Sequence, residues 1–139
     1  MPCSGNLTET TYVPGRLFSV APHTVRAINR LFTRNERLVA SFDTASGPMA
    51  VVMVGAIFVS CMETVWDGIV NPRMGMARQT RQFGDNGPEL PGGAELGRFN
   101  MGSTVILLYG PGQADWDESL AAGQAVRMGQ QIGSLRRGN

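Results

Sequence analysis

Glu36-Arg37-Leu38-Val39-Ala40-Ser41-Phe42-Asp43-Thr44-Ala45-Ser46-Gly47-Pro48-Met49-Ala50-Val51-Val52-Met53-Val54 is the stretch that decides the architecture. Two apolar runs, Glu36 to Thr44 and Pro48 to Val54, read as strands. Asp43-Thr44-Ala45-Ser46-Gly47 lies between them with strong hairpin chemistry, because Asp and Ser side chains bond nearby backbone and Gly supplies turn dihedrals. Working outward, Ala56 to Trp66 is expected to continue the sheet, and Thr104 to Tyr109 is a further strand. Met1 to Thr11 reads as polar and turn-like. Tyr12-Val13-Pro14-Gly15 reads as a turn and Arg16 to Val20 as a short strand. Val25, Ile28, Leu31 and Phe32 recur at helix spacing, with Thr24 as the N-cap. Asp115 to Leu120 reads as one helical turn and Gln124 to Ile132 as the last strand. From Asn71 to Gly93 no period is visible, which predicts a long surface loop or mobile flap. No internal repeat stands out. These elements predict a mainly β fold: two packed antiparallel sheets, a β-sandwich or barrel-sandwich, with one or two short helices in a single domain, 1–139.

The chain has 139 residues, enough for one domain with a core. A formal net charge of +1 argues against a nucleic-acid partner. All 12 basic residues are arginine, so no lysine is present to anchor pyridoxal phosphate as a Schiff base. Imine chemistry would need a carbonyl of the chain's own or of another cofactor. Cys3, Cys61 and the single His23 show no zinc spacing, and two reduced thiols are expected. No secretory signal pattern is visible. The longest apolar stretch, Met49 to Met62, is shorter than the roughly 20 residues a membrane span needs. Arg26, Arg30, Arg34 and Arg37 surround the helical pattern. Such a face suits an anionic membrane surface, but the solvated face of an ordinary core helix is the plainer reading.

Met101-Gly102-Ser103-Thr104 enters the last apolar run. Read alone it is a Gly-Ser turn whose hydroxyl is satisfied by backbone. The wider setting, Glu95-Leu96-Gly97-Arg98-Phe99-Asn100-Met101-Gly102-Ser103-Thr104-Val105-Ile106, resembles the self-cleavage site of phosphatidylserine decarboxylases. Tyr12-Val13-Pro14-Gly15-Arg16-Leu17-Phe18-Ser19-Val20, Leu31-Phe32-Thr33-Arg34-Asn35-Glu36-Arg37, Gly47-Pro48-Met49-Ala50, Val54-Gly55-Ala56 and Glu63-Thr64-Val65-Trp66 resemble further motifs of that family, in order along the chain.

The resemblance implies that the chain breaks between Gly102 and Ser103. The Ser103 hydroxyl attacks the Gly102 carbonyl, where glycine leaves the carbon unshielded and permits a tight bend. An ester replaces the amide. A base takes the serine proton and donors hold the oxyanion. Elimination cuts the chain, and hydrolysis of the dehydroalanine leaves a pyruvoyl group at position 103 and releases ammonia. That ketone would take the place of pyridoxal phosphate in converting phosphatidylserine to phosphatidylethanolamine, with no metal. Ser19 and Phe18 are weaker candidates for substrate contact; an open strand face for Ser19 and a core position for Phe18 and Trp66 are the plainer readings. The family's membrane association and dimerisation imply a peripheral membrane location and a homodimer. Met1-Pro2-Cys3 resembles a point inside the family's sequence, after the segments that carry the membrane helices and the activating aspartate and histidine. The expectation is a C-terminal part of a larger proenzyme, uncleaved and inactive by itself. Alternatives are a decarboxylase of another serine phospholipid, of the archaetidylserine type, and a non-enzymatic β-sandwich remnant.

Overall fold

The computed structural model describes residues 1–57, 62–70, 77–100 and 104–136. Its elements in chain order are β1 (Gly5–Val13), α1 (Pro22–Ala27), α2 (Leu31–Arg34), β2 (Arg37–Thr44), β3 (Gly47–Val54), β4 (Met62–Thr64), β5 (Gly68–Val70), β6 (Gln79–Gln82), β7 (Glu89–Leu90), β8 (Gly97–Phe99), β9 (Thr104–Tyr109), β10 (Ala114–Trp116) and β11 (Gly133–Leu135).

The central hairpin forms as the sequence predicts. Thr44 pairs with Gly47 and Arg37 with Val54, without a register break. Gly47 takes φ of 107°, and the Thr44 hydroxyl donates to the Gly47 carbonyl at 2.7 Å while accepting from Ser46 N–H at 3.2 Å. Around this hairpin the large sheet runs β6-β1-β2-β3-β9, with β7 also on β1. A second sheet runs β5-β4-β8, and β10 pairs with β11. Every paired strand is antiparallel.

Period-two alternation assigns the faces. Leu38, Ala40 and Phe42 of β2 are buried, and so are their partners Met53, Val51 and Met49 on β3. Leu7 and Tyr12 of β1 continue that face on one side, and Leu107 and Tyr109 of β9 on the other. The small sheet closes over it: Met62 and Leu96 join the same cluster, and Trp66 meets Phe42 edge-on at 6.3 Å between ring centroids. Each fully buried large apolar side chain contributes roughly 1.5–3 kcal/mol. Trp66 is partly buried and packs against this core.

Several local expectations change. Residues 5–13 form β1, a strand paired on both sides, not a turn. Threonine is β-branched and its hydroxyl can be satisfied inside a sheet: Thr11 is buried with its hydroxyl at 3.0 Å from Glu9 Oε1 and 2.9 Å from Thr80 Oγ1. Residues 17–20 carry no strand, and Arg16 makes a single bridge to Asn35. The one expected helix is two short ones. Arg30 breaks it with φ of 57°, and Ala21, not Thr24, is the first N-cap. Of residues 56–66, only Met62–Thr64 is strand, and it belongs to the second sheet; residues 58–61 lie outside the described part. Within 77–93, where no period showed, β6 and β7 pair with β1 and a 3-10 turn covers Gly84–Asn86.

Asp115 to Leu120 is not helical; β10 lies there instead, and the final strand is β11 rather than Gln124 to Ile132. A short repeat explains this. Gly110-Pro111-Gly112-Gln113, Ala121-Ala122-Gly123-Gln124 and Arg127-Met128-Gly129-Gln130 are the same turn three times. In each, the Gln N–H donates to the first residue's carbonyl, and the Gln side-chain oxygen accepts from that residue's N–H. The third residue is glycine with φ of 72°, 83° and 79° respectively, which a type II turn requires. The unit is too short and varied for hydrophobic periodicity to expose.

Candidate functional site

At the Val54 end of the large sheet, three chain segments meet at Asn35. Asn35 has zero exposure. Its Oδ1 accepts from Phe18 N–H at 3.0 Å, and its Nδ2 donates to the carbonyls of Phe18 at 2.8 Å and Gly55 at 2.9 Å. Backbone bonds reinforce the junction: Arg16 N–H to Arg34 carbonyl, Glu36 N–H to Arg16 carbonyl and Gly55 N–H to Glu36 carbonyl, each 2.8 Å. Gly15 permits the approach, because a Cβ there would lie 2.5 Å from Glu36 N and 2.6 Å from Arg34 O. Pro14 and Gly15, which follow β1 without forming the expected turn, the end of α2 and the residues after β3 are thereby locked together.

Beside Asn35, Glu36 is partly buried and hydrogen-bonded to the Tyr12 hydroxyl. Burial pushes its carboxyl above the usual range, and the Tyr12 bond offsets part of that. Burial, then the neighbouring Glu36 charge and the shared hydrogen bond, push the Tyr12 hydroxyl up to about 12. Tyr12 is thus a lasting donor at neutral pH.

Gly102 and Ser103 lie outside the described residues. Thr104, next in sequence, pairs with Val54, which pairs with Arg37. Upstream, Phe99 ends β8 in the second sheet, so the chain changes sheet between Phe99 and Thr104. Phe18 and Ser19 are held at this same end through Asn35 and Gly55. Phe18 is half-buried, outside the core cluster, with the Arg34 guanidinium 5.0 Å from its ring centroid. The Ser19 hydroxyl accepts from Ala21 N–H at 3.3 Å just ahead of α1 and does not stand on a strand face. Asn35, Glu36 and Tyr12 carried no assigned role in the sequence. Asn35 and Glu36 sit between arginines and look like solvated surface, and only the fold turns them inward.

Arg16, Arg26, Arg30 and Arg34 are exposed around this junction, while Arg37 donates to the Thr33 and Asn35 carbonyls. No ion pair among the described residues includes any of these five arginines. His23 is exposed on α1, and no cluster of potential metal ligands occurs among the described residues. Cys3 forms no disulfide; Cys61 is outside the described part. No helix among the described residues is long and apolar enough to cross a membrane.

Residues 1–134 match the phosphatidylserine decarboxylase family. The phosphatidylserine decarboxylase proenzyme of Methylococcus capsulatus is 52% identical over 136 residues, covering 98% of this chain and 47% of that protein. The proenzyme of Ectopseudomonas mendocina is 54% identical over 138 residues, covering 98% and 48%. That of Nitrosococcus oceani is 52% identical over 136 residues, covering 97% and 44%. The chain spans about half the length of the curated relatives it matches. Together with the ordered motifs that fold into the Asn35 junction, these matches show that the chain belongs to the phosphatidylserine decarboxylase family.

Proposed function

We propose that the chain is the pyruvoyl-bearing catalytic part of a proenzyme that decarboxylates phosphatidylserine to phosphatidylethanolamine. Ser103 is the cofactor precursor and the Gly102-Ser103 bond is the one that breaks. The observation that best supports this reading is the β3–β9 ladder. Six rungs, from Met49–Tyr109 to Val54–Thr104, begin at the residue after Ser103. A break before Ser103 therefore leaves the downstream piece held in the sheet.

The residues present fit a pyruvoyl group made from Ser103. The chain has no lysine to serve as a competing anchor, and glycine precedes the serine. Such a group supplies an electron sink for the pair left behind when carbon dioxide departs. The chain's own residues do the rest. The Ser103 hydroxyl attacks the Gly102 carbonyl; Asn35 fixes the Phe18-Ser19 segment beside the end of β3; and Phe18 offers a half-buried ring to the substrate. The base that takes the serine proton is assigned to the further part of the proenzyme, which the relatives' greater length accommodates.

The exposed Arg16, Arg26 and Arg30, with Leu17 39% and Ile57 57% exposed, support a peripheral seat on an anionic membrane surface. A homodimer is part of the same proposal. The test is mass spectrometry of the complete proenzyme carrying this chain. We expect cleavage between residues 102 and 103, a blocked terminus at 103, and no cleavage in Ser103→Ala. Decarboxylation with the Gly102-Ser103 bond intact would refute the mechanism.

A further inference from the structure

Arg34 differs from the other exposed arginines because its position is fixed while its charge is unpaired. It is the last residue of α2, and its carbonyl accepts from Arg16 N–H at 2.8 Å. The next residue, buried Asn35, holds Phe18 by both its N–H and its carbonyl. The Arg34 guanidinium lies over that same Phe18, 5.0 Å from the ring centroid. A ring face takes the flat of a guanidinium and leaves the N–H fork in its plane free to donate. Among the described residues no ion pair includes Arg34, and the hydrogen bonds that arginine side chains donate belong to Arg37, Arg81, Arg98 and Arg136. Glu36, the nearest acid in sequence, turns to the Tyr12 hydroxyl instead. Arg16, exposed and bonded through its backbone to Arg34 and Glu36, adds a second cation to the junction.

The stack also lies close to the proposed reaction centre. One Asn35 Nδ2 donates to the carbonyls of Phe18 at 2.8 Å and Gly55 at 2.9 Å, and Gly55 follows Val54, which pairs with Thr104. Phe18 is thus tied to the strand end that neighbours the residue after Ser103. In a serine phospholipid three atoms separate the amine nitrogen from the phosphorus, a span of about one 4.8 Å strand spacing.

We propose that the Arg34 guanidinium, laid over Phe18, is an anion subsite that takes the phosphate of the serine phospholipid headgroup and so orients the amine toward position 103. The inference rests on the proposed function and adds a specificity-determining residue to it. The phosphate suits this cation better than the headgroup carboxylate does. A guanidinium on the carboxylate would stabilise the charge that must be lost as carbon dioxide departs, whereas the phosphate keeps its charge throughout. Two N–H groups in one plane also match two phosphate oxygens.

Calorimetry of dihexanoyl phosphatidylserine binding to the complete proenzyme carrying this chain tests the subsite. Ser103→Ala serves as the parent, so neither turnover nor self-cleavage enters, and a soluble lipid leaves general membrane attraction out. Adding Arg34→Gln should weaken binding about tenfold or more, the scale of a lost charge-assisted hydrogen bond. Arg34→Lys, a point charge without the planar fork, should restore only part of the affinity. The same losses should appear with dihexanoyl phosphatidylethanolamine, which has the phosphate and lacks the carboxylate. The urea midpoint of both variants should match the parent's. A loss confined to phosphatidylserine would assign the Arg34 charge to the carboxylate and overturn the proposal. Unchanged affinity for both lipids, or no binding by the parent, overturns it as well. So does inorganic phosphate binding the parent as tightly as the lipid, because free phosphate would then be the ligand. A binding loss that tracks a fallen midpoint in both variants would make the arginine structural and equally overturn the subsite. Because the parent cannot cleave itself, this result stands or falls separately from the self-cleavage chemistry.

Discussion

Replacing Asn35 by alanine should unfasten the candidate site more than any other single exposed-looking position in this sequence. The side chain satisfies the Phe18 N–H, the Phe18 carbonyl and the Gly55 carbonyl at 2.8–3.0 Å, with zero exposure. Alanine leaves these groups without that partner. Each buried group so abandoned costs about 1–3 kcal/mol, and a water entering the polar gap recovers part of it. We expect a net loss of about 3–5 kcal/mol, a large share of a domain's roughly 5–15 kcal/mol stability. For a small domain with a urea slope of about 2 kcal/mol per molar, the midpoint should fall by about 2 M. The assay is equilibrium unfolding followed by tryptophan fluorescence, since Trp66 reports on the core through its contact with Phe42. Asn35→Asp sharpens the test. An aspartate can still accept from Phe18 N–H but, once ionised, faces two carbonyl oxygens it cannot serve. Its folded pKa should lie above the unfolded one, so its stability deficit should widen as pH rises from about 4 to 7. A midpoint change under about 0.5 M for Asn35→Ala, or a pH-independent deficit for Asn35→Asp, would refute the junction's role.

Glu36→Gln keeps an acceptor for Tyr12 but cannot ionise. Because the folded Glu36 carboxyl is raised above its unfolded value, wild type loses stability as pH rises through the folded pKa. The variant should equal wild type near pH 4 and be at least as stable at pH 7, and a greater loss at pH 7 would contradict the buried-acid description. Gly15→Ala should destabilise by about 3 kcal/mol or more, because its Cβ would lie 2.5–2.6 Å from backbone atoms that cannot swing aside. Gly55→Ala, with contacts at 3.3 Å to Leu17 and the Glu36 carbonyl, should be the milder of the two in the same denaturation assay. Arg26→Glu with Arg30→Glu should leave the unfolding midpoint nearly unchanged and weaken binding of the proenzyme to anionic vesicles at low salt. Unaltered vesicle sedimentation would remove these arginines from the membrane proposal.

How much was legible depends on whether the signal was local. The hairpin from Arg37 to Val54 and the strand from Thr104 to Tyr109 were readable because turn chemistry and β-branched content act within a few residues. So was the family, since ordered motifs need no coordinates. β1 was not readable. Its threonines and Glu9 look like loop residues until β2 and β6 pair on both sides and bury Thr10 and Thr11. The helix was overread, because apolar spacing from Val25 to Phe32 cannot show that Arg30 turns left-handed.

The candidate site divides the same way. The sequence by itself determined the motif around Gly102-Ser103 on which the proposed function rests, and the absence of lysine, because both are matters of residue type and order. Only tertiary structure decided the junction at Asn35 and the sheet edges. Asn35 becomes a buried three-way tie, Glu36 an inward acid and β9 an unprotected edge through contacts between residues 17 or more positions apart, or through the absence of a neighbouring strand among the described residues. Hydrogen-bond satisfaction and edge exposure are properties of assembled chain segments, and no local pattern encodes them.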